Sequence, residues 1–307
     1  MSTEATTINL LLTTDERYAQ HCAVCIRSII DNNEGVGLNI VVAGLALTPG
    51  TINKLQSFDA VGDCKVAVVQ FDESKLKEFP EIGLYPKDIY IRLWVEDLFP
   101  TAERVLYLDV DTIVVAPLLP LWKTDLGENI LAAVDIPDST SHNRCHLPKE
   151  YGYFNSGVIL FNVLKWRNLQ CRKTICEFLW TNAKIALNPD QDALNGCFYK
   201  ERVSIDYSWN TIAPFFRKSG VKSVSESKLN EVQKNPKIVH FNGNSKPWQH
   251  TSLHPYKRKY LYYLSKTPYA SFAPSDKNIL NSIKVMLRSL LSLDDFIKIP
   301  VSRLKGL

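Results

Sequence analysis

Four short apolar runs separated by segments of helical periodicity constrain this chain more than any other feature. Residues 8–12, 38–43, 65–70 and 104–109 are rich in leucine, valine and isoleucine, with few polar interruptions. A strand with one face in water alternates apolar and polar side chains; a run this continuous reads as a strand buried on both faces. Between the first two runs, Tyr18, Cys22, Cys25, Ile26, Ile29 and Ile30 recur at helical spacing, with Thr14 or Asp15 expected as the cap. Thr48-Pro49 opens a second helix with proline in its tolerated first turn, and 88–98 is predicted helical. Such alternation predicts an α/β domain with a mostly parallel central sheet, whose ligand crevice lies at the C-terminal ends of its strands. Further along, strands are expected at 113–115, 130–134, 158–162 and 237–241, and helices at 164–183 and 189–199.

Composition narrows the class. The chain has 307 residues, 45% of them hydrophobic, enough for one large core or two small ones. No apolar stretch reaches the ~18 residues of a membrane span. The N-terminal residues lack the basic region and cleavage site of a secretory signal, so a cytoplasmic protein is expected. Seven scattered cysteines read as free thiols, with Cys22 and Cys25 as core residues rather than a redox pair. The net charge of +4 is uneven: residues 256–307 carry ten Lys/Arg and three Asp, leaving the rest at −3. This distribution argues against nucleic acid as a partner of the main domain.

Chemistry concentrates in a few places. In Arg104-Val-Leu-Tyr-Leu-Asp109-Val110-Asp111, side chains two apart on an extended backbone point the same way, so two carboxylates leave the end of a buried strand together. A divalent cation would offset their repulsion, and hard oxygen ligands suit magnesium or manganese. His240-Phe-Asn-Gly243-Asn-Ser-Lys246 follows the last expected strand. It combines an imidazole, which moves the metal preference toward manganese, a glycine permitting close approach, and a lysine able to neutralise phosphate. Tyr153-Phe-Asn155-Ser156-Gly157 and Asn188-Pro-Asp190-Gln191-Asp192 place polar groups before a strand and at a helix start. Both suit sugar hydroxyls, and both also read as an ordinary turn and helix cap.

In this order, behind Thr13-Thr-Asp15-Glu-Arg17-Tyr18, these motifs resemble glycosyltransferase family 8, the retaining nucleotide-sugar enzymes that include bacterial lipopolysaccharide galactosyl- and glucosyltransferases. The resemblance implies a single GT-A-type, Rossmann-like catalytic domain over 1–255 and UDP-hexose as donor. It implies that Asp109, Asp111 and His240 bind manganese, with magnesium as the alternative. Thr13, Asp15, Arg17 and Tyr18 would surround uracil and ribose. Arg92, Val110, Gly243 and Lys246 would line the ribose and diphosphate, and Asn155, Ser156, Asp190 and Gln191 the hexose. Gln191 and Asp190 would be catalytic. An amide is a poor nucleophile, so front-face attack is favoured over a covalent intermediate on Asp190. Two other classes fit parts of the pattern: a haloacid-dehalogenase-like phosphatase using the same Asp-x-Asp, with Asp294-Asp295 as its later acidic pair, and a non-catalytic nucleotide-sugar-binding protein.

Residues 256–307 are expected to form a basic helical appendage. Ile279, Ile283, Met286, Leu287, Leu290 and Leu291 fall on one helical face flanked by Lys284 and Arg288. Lys257-Arg258-Lys259 sits among Tyr256, Tyr260, Tyr262 and Tyr263. Both patterns suit an anionic membrane surface. The expected acceptor is therefore a lipid-linked saccharide at the inner face of the membrane.

Overall fold

The computed structural model describes residues 6–59, 61–83, 87–145, 147–148, 150–291 and 295–299. Strands β1 (Thr7–Asp15), β2 (Gly37–Leu45), β3 (Cys64–Gln70), β4 (Arg104–Leu108), β6 (Leu131–Asp135), β7 (Phe154–Asn162) and β8 (Arg202–Ser204) form a sheet in the order β3-β2-β1-β4-β7-β6-β8. Strands β5 (Thr112–Val114) and β9 (Ile238–His240) pair as a separate antiparallel ribbon. Pairings are parallel except where β7 runs against β4 and β6.

Both faces of the sheet are covered along β1, β2 and β4, which accounts for their continuous apolar runs. Strand β3, at the edge, is exposed at alternate residues such as Lys65 and Ala67 rather than buried on both faces. Leu10 and Leu12 pack with Cys22, Cys25, Ile26 and Ile29 of the helix Ala19–Asp31. Leu11 points the other way, into a cluster with Tyr90, Ile91, Trp94 and Trp166. Truncating any one of these leucines would cost about 2–5 kcal/mol. All seven cysteines are free, and Cys22 and Cys25 are fully buried, as core thiols should be.

Several elements differ from expectation. Helix Ala19–Asp31 is capped by neither Thr14 nor Asp15, because β1 continues through Asp15; the Asp15 carboxylate instead accepts from the Tyr18 N–H at 2.9 Å. Segment 88–98 is a 3-10 helix, Lys87–Trp94, followed by one α-turn, Val95–Leu98. The helix expected over 164–183 is divided by Gln170, whose φ of 51° is left-handed, into Val163–Asn168 and Cys171–Asn182. Strand β7 begins at Phe154 rather than 158, so the polar residues taken for a turn lie inside the strand. Asn155 and Ser156 are buried there because each has hydrogen-bond partners.

The C-terminal segment is of two kinds. Helix Lys257–Leu264 is packed inside: Tyr256, Tyr260 and Tyr263 are buried with Val24, Ile113, Phe216 and Phe241. These three tyrosines are core, not the exposed aromatic patch expected of them. Helix Ile279–Leu290 is the opposite, with no buried residue and an apolar face that no described residue covers; Ile279 is 79% and Leu290 72% exposed. No described helix is long and apolar enough to cross a membrane.

Candidate active site

Strand polarity builds the site. Because β7 runs against β4, the start of β7 lies beside the end of β4, and the Asp109 N–H donates to the Gly157 carbonyl at 2.8 Å. On its other side the Asp109–Asp111 turn enters the ribbon, where Thr112 pairs with His240 and the Phe241 N–H donates to the Asp111 carbonyl at 2.9 Å. Asp109, Asp111 and His240 thus converge, with one ligand atom of each within 4.8 Å of the others.

The imidazole is oriented for this. His240 Nδ1 lies 2.9 Å from Asn210 Oδ1, and the Asn210 Nδ2 donates to Asn155 Oδ1 at 2.8 Å. With its amide nitrogen so committed, Asn210 offers His240 an acceptor. Nδ1 therefore carries a proton, and Nε2 faces Asp111 Oδ1 at 3.2 Å and Asp109 Oδ2 at 3.7 Å. Two carboxylates and an imidazole nitrogen facing one another are a donor set for a divalent cation, with the second nitrogen fixed as metal-binding histidines require. Gly157 makes the room: a Cβ there would sit 2.3 Å from His240 Cε1 and 2.7 Å from Asp109 Oδ2.

Two cations balance the carboxylates. Lys246 Nζ donates to Asp111 Oδ2 at 2.6 Å and to the Phe241 carbonyl at 2.8 Å, reaching back from a loop that turns at Gly243, whose φ is +84°. Burial alone would raise the Asp111 carboxyl, but His240 and Lys246 outweigh it and hold the group well below the ordinary range. Arg92 is buried against the Tyr107 ring and pairs with Asp109 at 3.1 Å and Asp190 at 3.3 Å. Burial opposes its charge, and Asp109, Tyr107 and Asp190 more than restore it. The Asp190 carboxyl is raised by burial and by Asp109, against the pull of Arg92.

In front of these groups lies a cleft of about 230 Å³ lined by Thr13, Thr14, Asp15, Arg17, Tyr18, Asp88, Ile89, Arg92, Tyr107, Asp109, Val110 and Asp111. Arg17 is its most exposed wall and pairs with Asp15 at 2.6 Å. Asn155, Ser156, Asp190 and Gln191 are buried in one hydrogen-bonded group that reaches Arg92 through Ser156 and Asp190. Trp248, beyond Lys246, stacks on His21 at 3.5 Å between ring centres, and His21 Nδ1 lies 2.6 Å from the Tyr260 hydroxyl. The helix Lys257–Leu264 therefore braces the loop that carries Lys246.

Sequence reasoning missed several residues here. Tyr107, whose hydroxyl donates to Asp109 at 2.6 Å, was readable from period two, since it precedes Asp109 by two positions. Asp88, with a buried carboxylate oxygen lacking a partner, reads from the sequence only as the start of a helix. Asn210 carries no local signal at all.

Known proteins resemble this chain in sequence and in fold. The sequence profile described as Glycosyl transferase family 8 matches residues 9–252. General stress protein A of Bacillus subtilis (strain 168) is 26% identical over 265 residues, covering 82% of this chain and 91% of that protein. A lipopolysaccharide 1,2-glucosyltransferase of Escherichia coli (strain K12) is 23% identical over 290 residues, covering 92% and 85%. The galactosyltransferase LgtC, solved with donor and acceptor sugar analogs, superposes with a TM-score of 0.76 at 20% identity, covering 88% of this chain and 98% of that one. At that identity the likeness is one of fold: this chain has the GT-A fold of LgtC.

Proposed function

The chain belongs to glycosyl transferase family 8, and from that premise we propose that it is a retaining enzyme moving galactose or glucose from UDP to a saccharide acceptor. The observation that carries the reading is the Asp109–Asp111–His240 donor set, with Nε2 turned toward both carboxylates by Asn210. Those three residues would hold manganese, or magnesium in its place. A divalent cation bound there would supply positive charge against a departing diphosphate.

The chain's own residues supply the rest. Lys246 and the buried Arg92 add fixed positive charge where the leaving group gains negative charge, so no general acid is needed. Asp15, Arg17, Tyr18 and Thr13 receive uracil and ribose, with Val110 beside them. Gly243 lets backbone approach the phosphates. Asn155, Ser156, Asp190 and Gln191 meet the hexose. Asp190 accepts from the Ser156 hydroxyl at 3.0 Å and pairs with Arg92, which weakens it as a nucleophile and favours front-face attack.

One of the relatives acts on lipopolysaccharide, which supports a lipid-linked acceptor. We read 1–255, completed by the packed helix Lys257–Leu264, as the catalytic unit and the helix Ile279–Leu290 as the part of 256–307 that meets an anionic inner membrane surface. The phosphatase reading falls with the family. Of its later acidic pair, Asp295 forms an exposed ion pair with Arg217 instead of facing Asp109 and Asp111; Asp294 lies outside the described residues.

Manganese-dependent hydrolysis of UDP-galactose and UDP-glucose tests the proposal, with product anomers followed by proton NMR. Asp111→Asn should abolish turnover, because a neutral amide cannot supply the anionic oxygen. Unchanged manganese titration and turnover in that variant would overturn the metal assignment, and an inverted product the mechanism. Manganese-dependent UDP-sugar binding without turnover on any acceptor would favour the non-catalytic reading.

A further inference from the structure

Both ends of the Gln191 amide are engaged, and groups that cannot reverse their roles decide which end is which. The Ser156 backbone N–H donates to Gln191 Oε1 at 3.0 Å, and a backbone N–H has no other role. Asn155 is fixed in the same way: the Gly157 N–H donates to its Oδ1 at 2.9 Å, which leaves Nδ2 to donate to Gln191 Oε1 at 2.9 Å. On the opposite side Gln191 Nε2 donates to the Tyr153 hydroxyl at 3.0 Å. That hydroxyl lies 2.5 Å from Asp192 Oδ1. A carboxylate only accepts, so the Tyr153 O–H donates to Asp192 and the Tyr153 lone pairs face Gln191.

Asp192 is an unusually fixed anchor. It is 1% exposed and accepts from Arg144 Nε and NH2 at 3.1 and 2.7 Å and from the backbone N–H groups of Leu187 and Asn188 at 2.8 and 3.0 Å. Burial would raise its carboxyl, but the bonds from Arg144, Tyr153, Asn188 and Leu187 outweigh burial and keep it ionised and accepting. The whole arrangement is a relay from Arg144 through Asp192 and Tyr153 to the amide.

We propose that Tyr153, held by Asp192 and Arg144, is a positioning residue that sets the orientation in which Gln191 meets the donor sugar. This rests on the reading above that Gln191 faces the hexose. Two lone pairs of Oε1 are taken by Ser156 and Asn155, so the amide offers the sugar its remaining Nε2 hydrogen as a donor rather than a carbonyl oxygen as a nucleophile. Removing the tyrosine hydroxyl takes away the acceptor that aims Nε2, leaving the amide held at Oε1 alone, and keeps the aromatic ring in its cluster with Cys145 and Leu147.

A double-mutant cycle on the full chain tests this through UDP-hexose turnover with manganese. Tyr153→Phe is expected to lower kcat about 10- to 100-fold with donor KM within about threefold. In a Gln191→Ala background, itself slow, the same substitution should change kcat less than about twofold, because the residue through which it acts is gone. A merely structural role would give independent losses in both backgrounds. Arg144→Gln, at the outer end of the relay, should repeat the coupling at smaller size and serves if Tyr153→Phe misfolds. Full activity in Tyr153→Phe, or a loss that multiplies with that of Gln191→Ala, overturns the positioning role alone. Full activity in Gln191→Ala overturns the placement of Gln191 and the relay with it.

Discussion

Gly157 is the residue on which the rest of the site converges. It carries no side chain, yet a single methyl group there would overlap His240 and Asp109 together, two of the three candidate metal ligands. Backbone amides of β7 also hold Asn155 and Gln191 in place, so the close approach cannot be relieved by shifting the strand. Gly157→Ala should therefore weaken manganese activation about 10- to 100-fold, the usual cost of disturbing the groups that orient metal ligands. Titrating UDP-hexose hydrolysis with manganese measures it; an unchanged half-saturation would mean that His240 and Asp109 tolerate displacement. Legibility at this scale follows sequence distance. Asp109 and Asp111 are readable because period two puts both on one side of a strand, and His240 because it ends another. Gly157, Asn210 and Asp88 act through neighbours tens of residues away, and no local pattern encodes such proximity.

Among the elements, those with a continuous apolar run or clear periodicity were readable and those serving the site were not. β1, β2 and β4 announce themselves by continuous apolar composition, and β3, at the sheet edge, by its valines. β8 is only three residues long with little apolar content, and the first part of β7 hides behind polar side chains whose burial depends on partners elsewhere. The break at Gln170 has no glycine or proline to mark it. Helix Ile279–Leu290 was legible as amphipathic, but only the structure shows that no described residue covers its apolar face. Deleting 276–307 would be a poor test of that face. Asp276 accepts the N–H groups of His250 and Thr251, and Phe296 is buried against His254. The double substitution Ile283→Asp with Leu287→Asp changes only exposed positions. It should abolish co-sedimentation with anionic phosphatidylglycerol vesicles at low salt and leave manganese-dependent donor hydrolysis unchanged. Wild-type protein that ignores such vesicles would remove the membrane role. Lys284 and Arg288 flank the face, and at about 1 kcal/mol per basic residue the binding should weaken with salt.

At the scale of the molecule, two buried histidines link stability to acid. Burial lowers both His21 and His254 from the ordinary 6.5 to about 3, and His254 Nε2 has no partner among Phe216, Phe241 and Phe296. Between those values the unfolded chain binds protons that the folded chain does not. Stability is therefore full above about 6.5 and falls as pH drops toward 3, by up to about 1.4 kcal/mol per pH unit for each histidine. Urea unfolding between pH 7 and 5, compared for wild type and His254→Leu, should show a shallower pH slope in the variant; equal slopes would mean that His254 is not kept neutral. The spacing of the site's contacts along the chain has a further consequence, for the order of folding. Tyr107 meets Thr13 across 94 residues, Lys246 meets Asp111 across 135, and His21 meets Tyr260 across 239. Loop closure favours nearby pairings, so the parallel β1–β2–β3 unit can assemble while the carboxylates still stand open to water. On the ribosome, where chains emerge N-terminus first, the loop carrying Lys246 can be braced only once Tyr260 has been synthesised and released. A nascent chain thus carries one sheet edge long before the three carboxylate and imidazole groups are brought together.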